Sequence, residues 1–303
     1  MATEGAVGVI GVGNMGSAMA GSLLAAGHDV VGHDVDARRM GDLERAGGRT
    51  AGAPGEVLAQ ADRGVLSLPT AAALRDVVAG DGGLLAAARD GVVLVETSTL
   101  ALADKFWARD ALDAAGVALL DCPISGTAGQ ARQRDIVFYT SGPRDEVRTV
   151  EPLLLAMGRG APWLGPFGAG IRAKLVSNLL VAVHTMAAAE ALNLAEQAGL
   201  DLPTTFDVLT AGAGTSRMLE VRGPMMVAGT YPSDSATVGI LAKDVGLILD
   251  LAGDLDAPTP LLSLVASFFA AARGQGRGDG DPAVLAEVYR ALSVQYPDVD
   301  GGA

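Results

Sequence analysis

The feature that most restricts this sequence is a glycine-rich turn between a short apolar strand and a helix. Residues 6–10 read Ala-Val-Gly-Val-Ile, and Gly11-Val12-Gly13-Asn14-Met15-Gly16 follows, opening an Ala- and Leu-rich helical stretch over 15–26. In such a turn the first glycine permits the tight bend, the second lets backbone approach a pyrophosphate, and the third lets the helix pack closely on the sheet. The free N–H groups at the helix start, with the positive end of its dipole, suit an anion. With 41 glycines in the chain the spacing alone is weak, so context carries the argument. Further β-like runs at 29–34, 64–68, 91–96 and 117–120 alternate with helical segments such as 101–115. That alternation predicts a parallel sheet covered by helices on both faces. Residues 136–140 are expected to add a further strand, before a helix near 147–157.

The second run ends in Asp34, 18 residues past Gly16. A carboxylate there accepts hydrogen bonds from both ribose hydroxyls of NAD and repels a 2′-phosphate. Arg38 and Arg39 lie just beyond and could greet such a phosphate, so NAD is favoured and NADP stays open. The expected cofactor contacts on the turn are Gly11, Gly13, Asn14, Met15 and Gly16, together with Asp34.

The pattern changes near residue 165. The breaker-rich segment 163–170 precedes a long apolar helix over 171–198, ended by Gly199, and helical stretches follow at 203–210, 243–251, 260–272 and 282–293. The expected architecture is α/β. An N-terminal Rossmann-type, doubly wound parallel sheet occupies 1–165. A long interdomain helix leads into an all-α domain over 166–295, with a loose tail at 296–303 and the active site between the domains. The most apolar run, 175–189, is shorter than a membrane span and contains His184, so a buried helix is expected. Net charge is −13, which argues against nucleic acid as a partner. A single cysteine, Cys122, suits a reducing cytoplasm, and the three scattered histidines form no metal cluster. No secretion leader is expected. The apolar helices of the second domain predict a homo-oligomer, either dimer or tetramer.

Lys174 and Asn178 are four apart on the long helix and share a face. A lysine in so apolar a helix is unusual unless paired or functional, and desolvation would tune it for proton transfer. With these residues in view the chain resembles the β-hydroxyacid dehydrogenases, typified by 3-hydroxyisobutyrate dehydrogenase, over nearly its whole length. The resemblance runs in order through the glycine turn, Gly27-His28, Leu68-Pro69-Thr70, Thr97-Ser98-Thr99, Asp121-Cys122-Pro123-Ile124-Ser125-Gly126-Thr127, Gly168-Ala169-Gly170 through Lys174 to Asn178, Ala189-Glu190-Ala191, Gly199-Leu200-Asp201 and Lys243-Asp244. It implies a hydride exchange between NAD(P) and a small 3-hydroxy acid or its semialdehyde. Lys174 would be the general acid/base. Ser125, Gly126 and Thr127 would bind the substrate carboxylate, with Asn178 and Ser98 also at the substrate. Leu68, Pro69, Thr99 and Lys243 would contact the cofactor.

Several positions depart from the family pattern. Ser177 stands where the first Asn of a pair is frequent, Thr127 replaces the second Gly of Ser-Gly-Gly, Arg134-Asp135 replace Gly-Thr, and Ala236 replaces an aromatic. These argue against a standard 3-hydroxyisobutyrate specificity. Arg217 and Arg222 could receive an anionic substrate, although surface charge is the plainer expectation. Two alternatives compete: imine reduction on the same fold, and a catalytically inactive nucleotide-binding protein. Lys174 argues against the first, and retention of Lys174 and Asn178 with Asp34 argues against the second.

Overall fold

A computed structural model describes residues 5–232 and 236–293; the tail expected at 296–303 lies outside the described residues. The chain divides into two compact units that meet at Leu175/Val176, inside one long helix.

The first unit runs β1 (Ala6–Ile10), α1 (Asn14–Ala25), β2 (Val30–His33), α2 (Ala37–Arg45), β3 (Arg49–Thr50), α3 (Pro54–Gln60), β4 (Ala61–Leu66), α4 (Ala71–Ala79), β5 (Val92–Glu96), α5 (Leu102–Asp113), β6 (Val117–Asp121), β7 (Ile124–Ser125), α6 (Ala128–Arg132), β8 (Val137–Phe138), α7 (Arg144–Met157) and the start of α8 (Ala169–Gln197). Six parallel strands take the order β3-β2-β1-β4-β5-β6, so the chain path reverses between β1 and β4. Such a switch point opens a crevice at the carboxyl ends of the strands. The sheet is apolar on both sides because its strands alternate between two cores. Val7, Val9, Val65, Val93, Val95 and Leu120 pack with Met19 and Leu23 of α1 and Val150 and Leu154 of α7. Ile10, Leu66, Leu94 and Leu119 pack on the other face with Leu58, Leu74, Val78 and Leu112. The sheet register aligns the last residues of five strands in one row: His33, Ile10, Leu66, Glu96 and Asp121.

The strand expected at 136–140 is shorter and does not join this sheet. Val137–Phe138 pairs antiparallel with Ile124–Ser125 instead. Only 11 residues separate the two strands, too few for a parallel crossover. Arg134 adopts φ +59, a left-handed conformation that glycine takes most readily, and its guanidinium donates to Leu155 O at 3.0 Å. Cys122 is fully buried, and burial together with the charge of Asp121 pushes its thiol far above the ordinary range, so it is an inert core residue.

The second unit is helical: the remainder of α8, then α9 (Leu202–Ala211), α10 (Arg217–Ala228), α11 (Val238–Asp254), α12 (Pro260–Gly274) and α13 (Leu285–Leu292). Leu241, Val245 and Ile248 of α11 are buried, as are Leu262, Val265 and Phe269 of α12 and Val288 of α13. Gly223 admits the Phe206 ring, which an added Cβ would meet at 2.4 Å. Arg222 corrects the surface-charge expectation. It is buried, with Nε donating to Asp281 Oδ1 at 2.9 Å and Nη1 to Thr185 Oγ1 at 3.0 Å. A guanidinium can be buried here because an anion and a hydroxyl meet its fork. Arg217 is exposed and pairs with Glu220 at 3.0 Å. As an element α8 has 29 residues, longer than its apolar run, so by length and composition it could cross a membrane; 44% of its most apolar window is buried within the protein.

Candidate active site

The glycine turn has the shape its spacing predicts. Gly11 adopts φ +85, and a Cβ on it would stand 2.3 Å from Ser67 O. A Cβ on Gly16 would lie 1.9 Å from Gly11 O, so helix and turn meet with no room for a side chain. Gly13 is the N-cap of α1 and brings no side chain to its N–H groups; the atom nearest its missing Cβ is Arg39 Nη1 at 3.3 Å, the tip of a flexible chain. Asn14 is exposed and Met15 half-buried beside it. A helix start that is uncapped by a side chain fits a dinucleotide pyrophosphate.

Asp34 stands one residue past β2, and both its oxygens are engaged. Oδ2 accepts from Val12 N at 2.9 Å and lies 3.5 Å from Arg39 Nη1; Oδ1 accepts from Asp36 N at 2.9 Å. The carboxylate therefore braces the turn from the end of β2. An ionised carboxylate offers about four lone-pair sites, so this leaves acceptor capacity.

At the ends of β4 and β5 the predicted residues are linked through backbone. Ser98 is buried, with its hydroxyl accepting from Leu68 N at 2.8 Å and its own N–H donating to Glu96 Oε1 at 2.8 Å. It knits two loops together, and its hydroxyl, accepting here, keeps its own proton to donate. Leu68 and Thr99 are half-buried and Pro69 is exposed. After β6, Gly126 takes φ +138, and a Cβ on it would meet Ile136 Cγ2 at 2.6 Å. Gly126 and Thr127 are exposed and Ser125 half-buried. Thr127 caps α6 in a reciprocal box: its N–H donates to Gln130 Oε1 at 3.0 Å and its Oγ1 accepts from Gln130 N at 3.3 Å. Its backbone donor is thus committed to the cap, and the hydroxyl proton is the donor that Thr127 retains.

Lys174 is half-buried in the second turn of α8. In the second unit, Asn178 is 5% exposed and its Nδ2 donates to Asp244 Oδ2 at 2.7 Å, while Lys243 Nζ lies 3.2 Å from Asp244 Oδ1. One carboxylate therefore holds two of the predicted residues, and Asp244 joins the site's candidate residues.

Sequence reasoning missed a further cluster. Lys105, Glu96 and Asp121 are all 0% exposed, and Lys105 Nζ lies 2.6 Å from both Glu96 Oε2 and Asp121 Oδ1. The Asp121 contact is an aligned hydrogen bond, the Glu96 contact an ion pair. Burial alone would pull the Lys105 ammonium down, but Asp121 and then Glu96 outweigh it and hold it above the ordinary lysine range. The signal in the sequence was an acid ending each of two otherwise apolar strands at one register position, with one of only three lysines nearby.

Two family models tile the chain: the NAD binding domain of 6-phosphogluconate dehydrogenase over residues 6–165, and the NAD-binding of NADP-dependent 3-hydroxyisobutyrate dehydrogenase over 168–289. The L-threonate dehydrogenase of Haemophilus influenzae is 32% identical over 95% of this chain and 96% of its own. The chain belongs to the β-hydroxyacid dehydrogenase family. As a member of that family it is an NAD(P)-dependent dehydrogenase acting on hydroxyl groups. A crystal structure of a 3-hydroxyisobutyrate dehydrogenase from Salmonella typhimurium matches this hydroxyacid dehydrogenase with a TM-score of 0.85 at 33% identity, covering 94% of this chain and 100% of that one. An imine reductase from Streptomyces aurantiacus, 22% identical over 93% of this chain and 99% of its own, has a TM-score of 0.61 and shares the fold alone.

Proposed function

We propose that this chain catalyses reversible hydride exchange between NAD(P) and a small 3-hydroxy acid or its semialdehyde, with Lys174 as the general acid/base. The observation that carries the reading is the pairing of an uncapped glycine cradle at the carboxyl edge of the sheet with an amine on the helix anchored to that same edge. The substrate class follows the relatives, whose names specify L-threonate and 3-hydroxyisobutyrate, both small hydroxy acids.

Gly11, Gly13, Asn14, Met15 and Gly16 would hold the pyrophosphate, Asp34 the adenosine ribose, and Leu68, Pro69 and Thr99 the path toward the nicotinamide. The bound cofactor supplies or accepts a hydride at nicotinamide C4. Lys174 gives a proton to the carbonyl oxygen in reduction and removes it from the hydroxyl in oxidation, and its charge favours the developing oxyanion. The Ser125 and Thr127 hydroxyls, with the backbone at Gly126, would take the substrate carboxylate. Asn178, oriented by Asp244, would position the substrate, and Lys243 would contact the cofactor. We place the enzyme in the cytoplasm, which suits its single buried thiol, and read it as a homodimer or homotetramer because Leu194, Leu261 and Leu264 are left exposed.

The test is a screen of purified protein with NAD and NADP against small 3-hydroxy acids, semialdehydes and cyclic imines. Turnover of a hydroxy acid or semialdehyde is expected; turnover of a cyclic imine alone, or cofactor binding with no turnover, would contradict the reading. Asp34 bears on cofactor choice. Asp34→Ala is expected to weaken NAD about tenfold and NADP less, since only NAD presents both ribose hydroxyls to the carboxylate. Equal losses, measured as dissociation constants, would leave Asp34 only its bracing contacts with Val12, Asp36 and Arg39.

A further inference from the structure

We propose that the buried Glu96–Lys105–Asp121 triad is a positioning device, fixing the first turn of α8, and through it Lys174, to the carboxyl ends of β5 and β6. Glu96 and Asp121 are register partners that end adjacent strands, and Lys105 of α5 joins them at 2.6 Å each. The far oxygen of Asp121, Oδ2, accepts from Ile171 N at 2.8 Å, the Ser141 hydroxyl proton is shared between Asp121 O at 2.9 Å and Oδ2 at 3.0 Å, and Ser141 Oγ in turn accepts from Gly170 N at 2.9 Å. Two consecutive N–H groups at the start of α8 are thus tied to one aspartate, Ile171 directly and Gly170 through one hydroxyl. Gly170 makes the approach possible, because a Cβ there would stand 2.3 Å from Tyr139 O and 2.6 Å from Asp121 O. Lys174 follows Ile171 by three residues, about 4.5 Å along the helix axis. From the opposite end, Glu96 Oε1 accepts from Ser98 N, whose hydroxyl holds Leu68 N. One buried cluster therefore connects the loops after β4, β5 and β6 with the helix that carries the amine.

The charges explain why the helix is part of the device. Two acids face one ammonium with no exposure to water, and the oxygens turned away from Lys105 are met by the Ile171 and Ser98 N–H groups and the positive end of the α8 dipole. Buried ion clusters of this kind seldom improve stability over apolar packing, and a structural registry is their best-attested use. The choice of lysine is itself informative. The chain holds 19 arginines and three lysines, Lys105, Lys174 and Lys243. Two of the three lysines are proposed at the reaction site, and the third lies in the cluster behind it.

The inference rests on Lys174 acting at the substrate, as proposed above, and two variants test it. Ser141→Ala removes the bridging hydroxyl and Asp121→Asn removes the charge; the former is the milder change should the latter fail to fold. In both, kcat for the hydroxy acid should fall about 10- to 100-fold, because a displacement on the order of 1 Å costs that much, while KM and the NADH dissociation constant stay within about threefold. Hydrogen exchange at residues 170–175 should accelerate at least about tenfold while α1 and β1 remain protected. Unchanged kcat in a folded variant, or faster exchange spread evenly across the first unit, would overturn the proposal. The exchange arm needs no substrate: an inactive wild type would remove the hydroxy-acid reading, while local exchange still decides whether the triad pins the helix.

Discussion

Replacing Lys174 with alanine should lower kcat by about 10²- to 10⁴-fold, the usual contribution of a positioned acid or base, or about 3–5 kcal/mol of transition-state stabilisation. Cofactor affinity should hold within about twofold, because the proposed pyrophosphate contacts belong to the turn at residues 11–16 and not to α8. Lys174→Arg gives the sharper result. A guanidinium retains the charge that favours an oxyanion but is never deprotonated at working pH, so it can neither give up nor take back the proton. Oxidation should therefore fail as fully as in the alanine variant. Stopped-flow measurement of cofactor binding beside steady-state kinetics separates the two effects. A Lys174→Arg enzyme with more than about half the parent kcat would show that the residue acts only as a fixed charge.

The largest stability effect should come from Lys105→Met. Removing the ammonium leaves two carboxylates with no exposure and no cation between them, and breaking a buried pair from one side costs about 3–5 kcal/mol. Adding Glu96→Gln and Asp121→Asn to that variant should restore more than about half of the loss, since the penalty is uncompensated charge and not missing volume. The pH dependence follows from the direction of the Lys105 shift. Its folded-state value is raised, so its stabilisation is fully present below the unfolded lysine value of about 10.4 and disappears only as pH rises through the higher folded value. Between about pH 6 and pH 9 this contribution should stay constant. Urea denaturation of the parent, the single variant and the triple variant measures all three quantities; equal stability of parent and Lys105→Met would contradict the account.

The sequence was most legible where a local rule operates. β1, the glycine turn and α1 were readable because strand apolarity, turn chemistry and helix start coincide within about twenty residues. β3 was not, since Arg49 and Thr50 form a two-residue edge strand with no apolar run. α10 escaped because Gly223 and Pro224 sit inside it, and its cohesion comes from Phe206 and the buried Arg222–Asp281 pair, which are tertiary facts. β8 was taken for a sheet strand because Ile136 and Val137 have strand character, while its actual partner, β7, is set by the left-handed Gly126 and the short span to residue 137.

The candidate site divides in the same way. Lys174, Asn178 and Lys243 announced themselves as rare lysines and as motif positions, whereas Glu96, Lys105, Ser141 and Asp244 lie 9 to 66 residues from the partners that give them meaning. Thr127 shows the reverse limit. Its place beside Ser125 and Gly126 suggested a substrate contact, but only coordinates reveal that its N–H is already given to Gln130.

The central claim is that a hydride passes between nicotinamide C4 and a substrate carbon while Lys174 handles the proton. Reduced cofactor bearing deuterium at C4, incubated with the enzyme and a small semialdehyde acid, should yield a hydroxy acid with deuterium on its carbinol carbon, and the Lys174→Ala enzyme should form almost none. Product lacking the label, or labelled product at equal rates from both enzymes, would contradict the account.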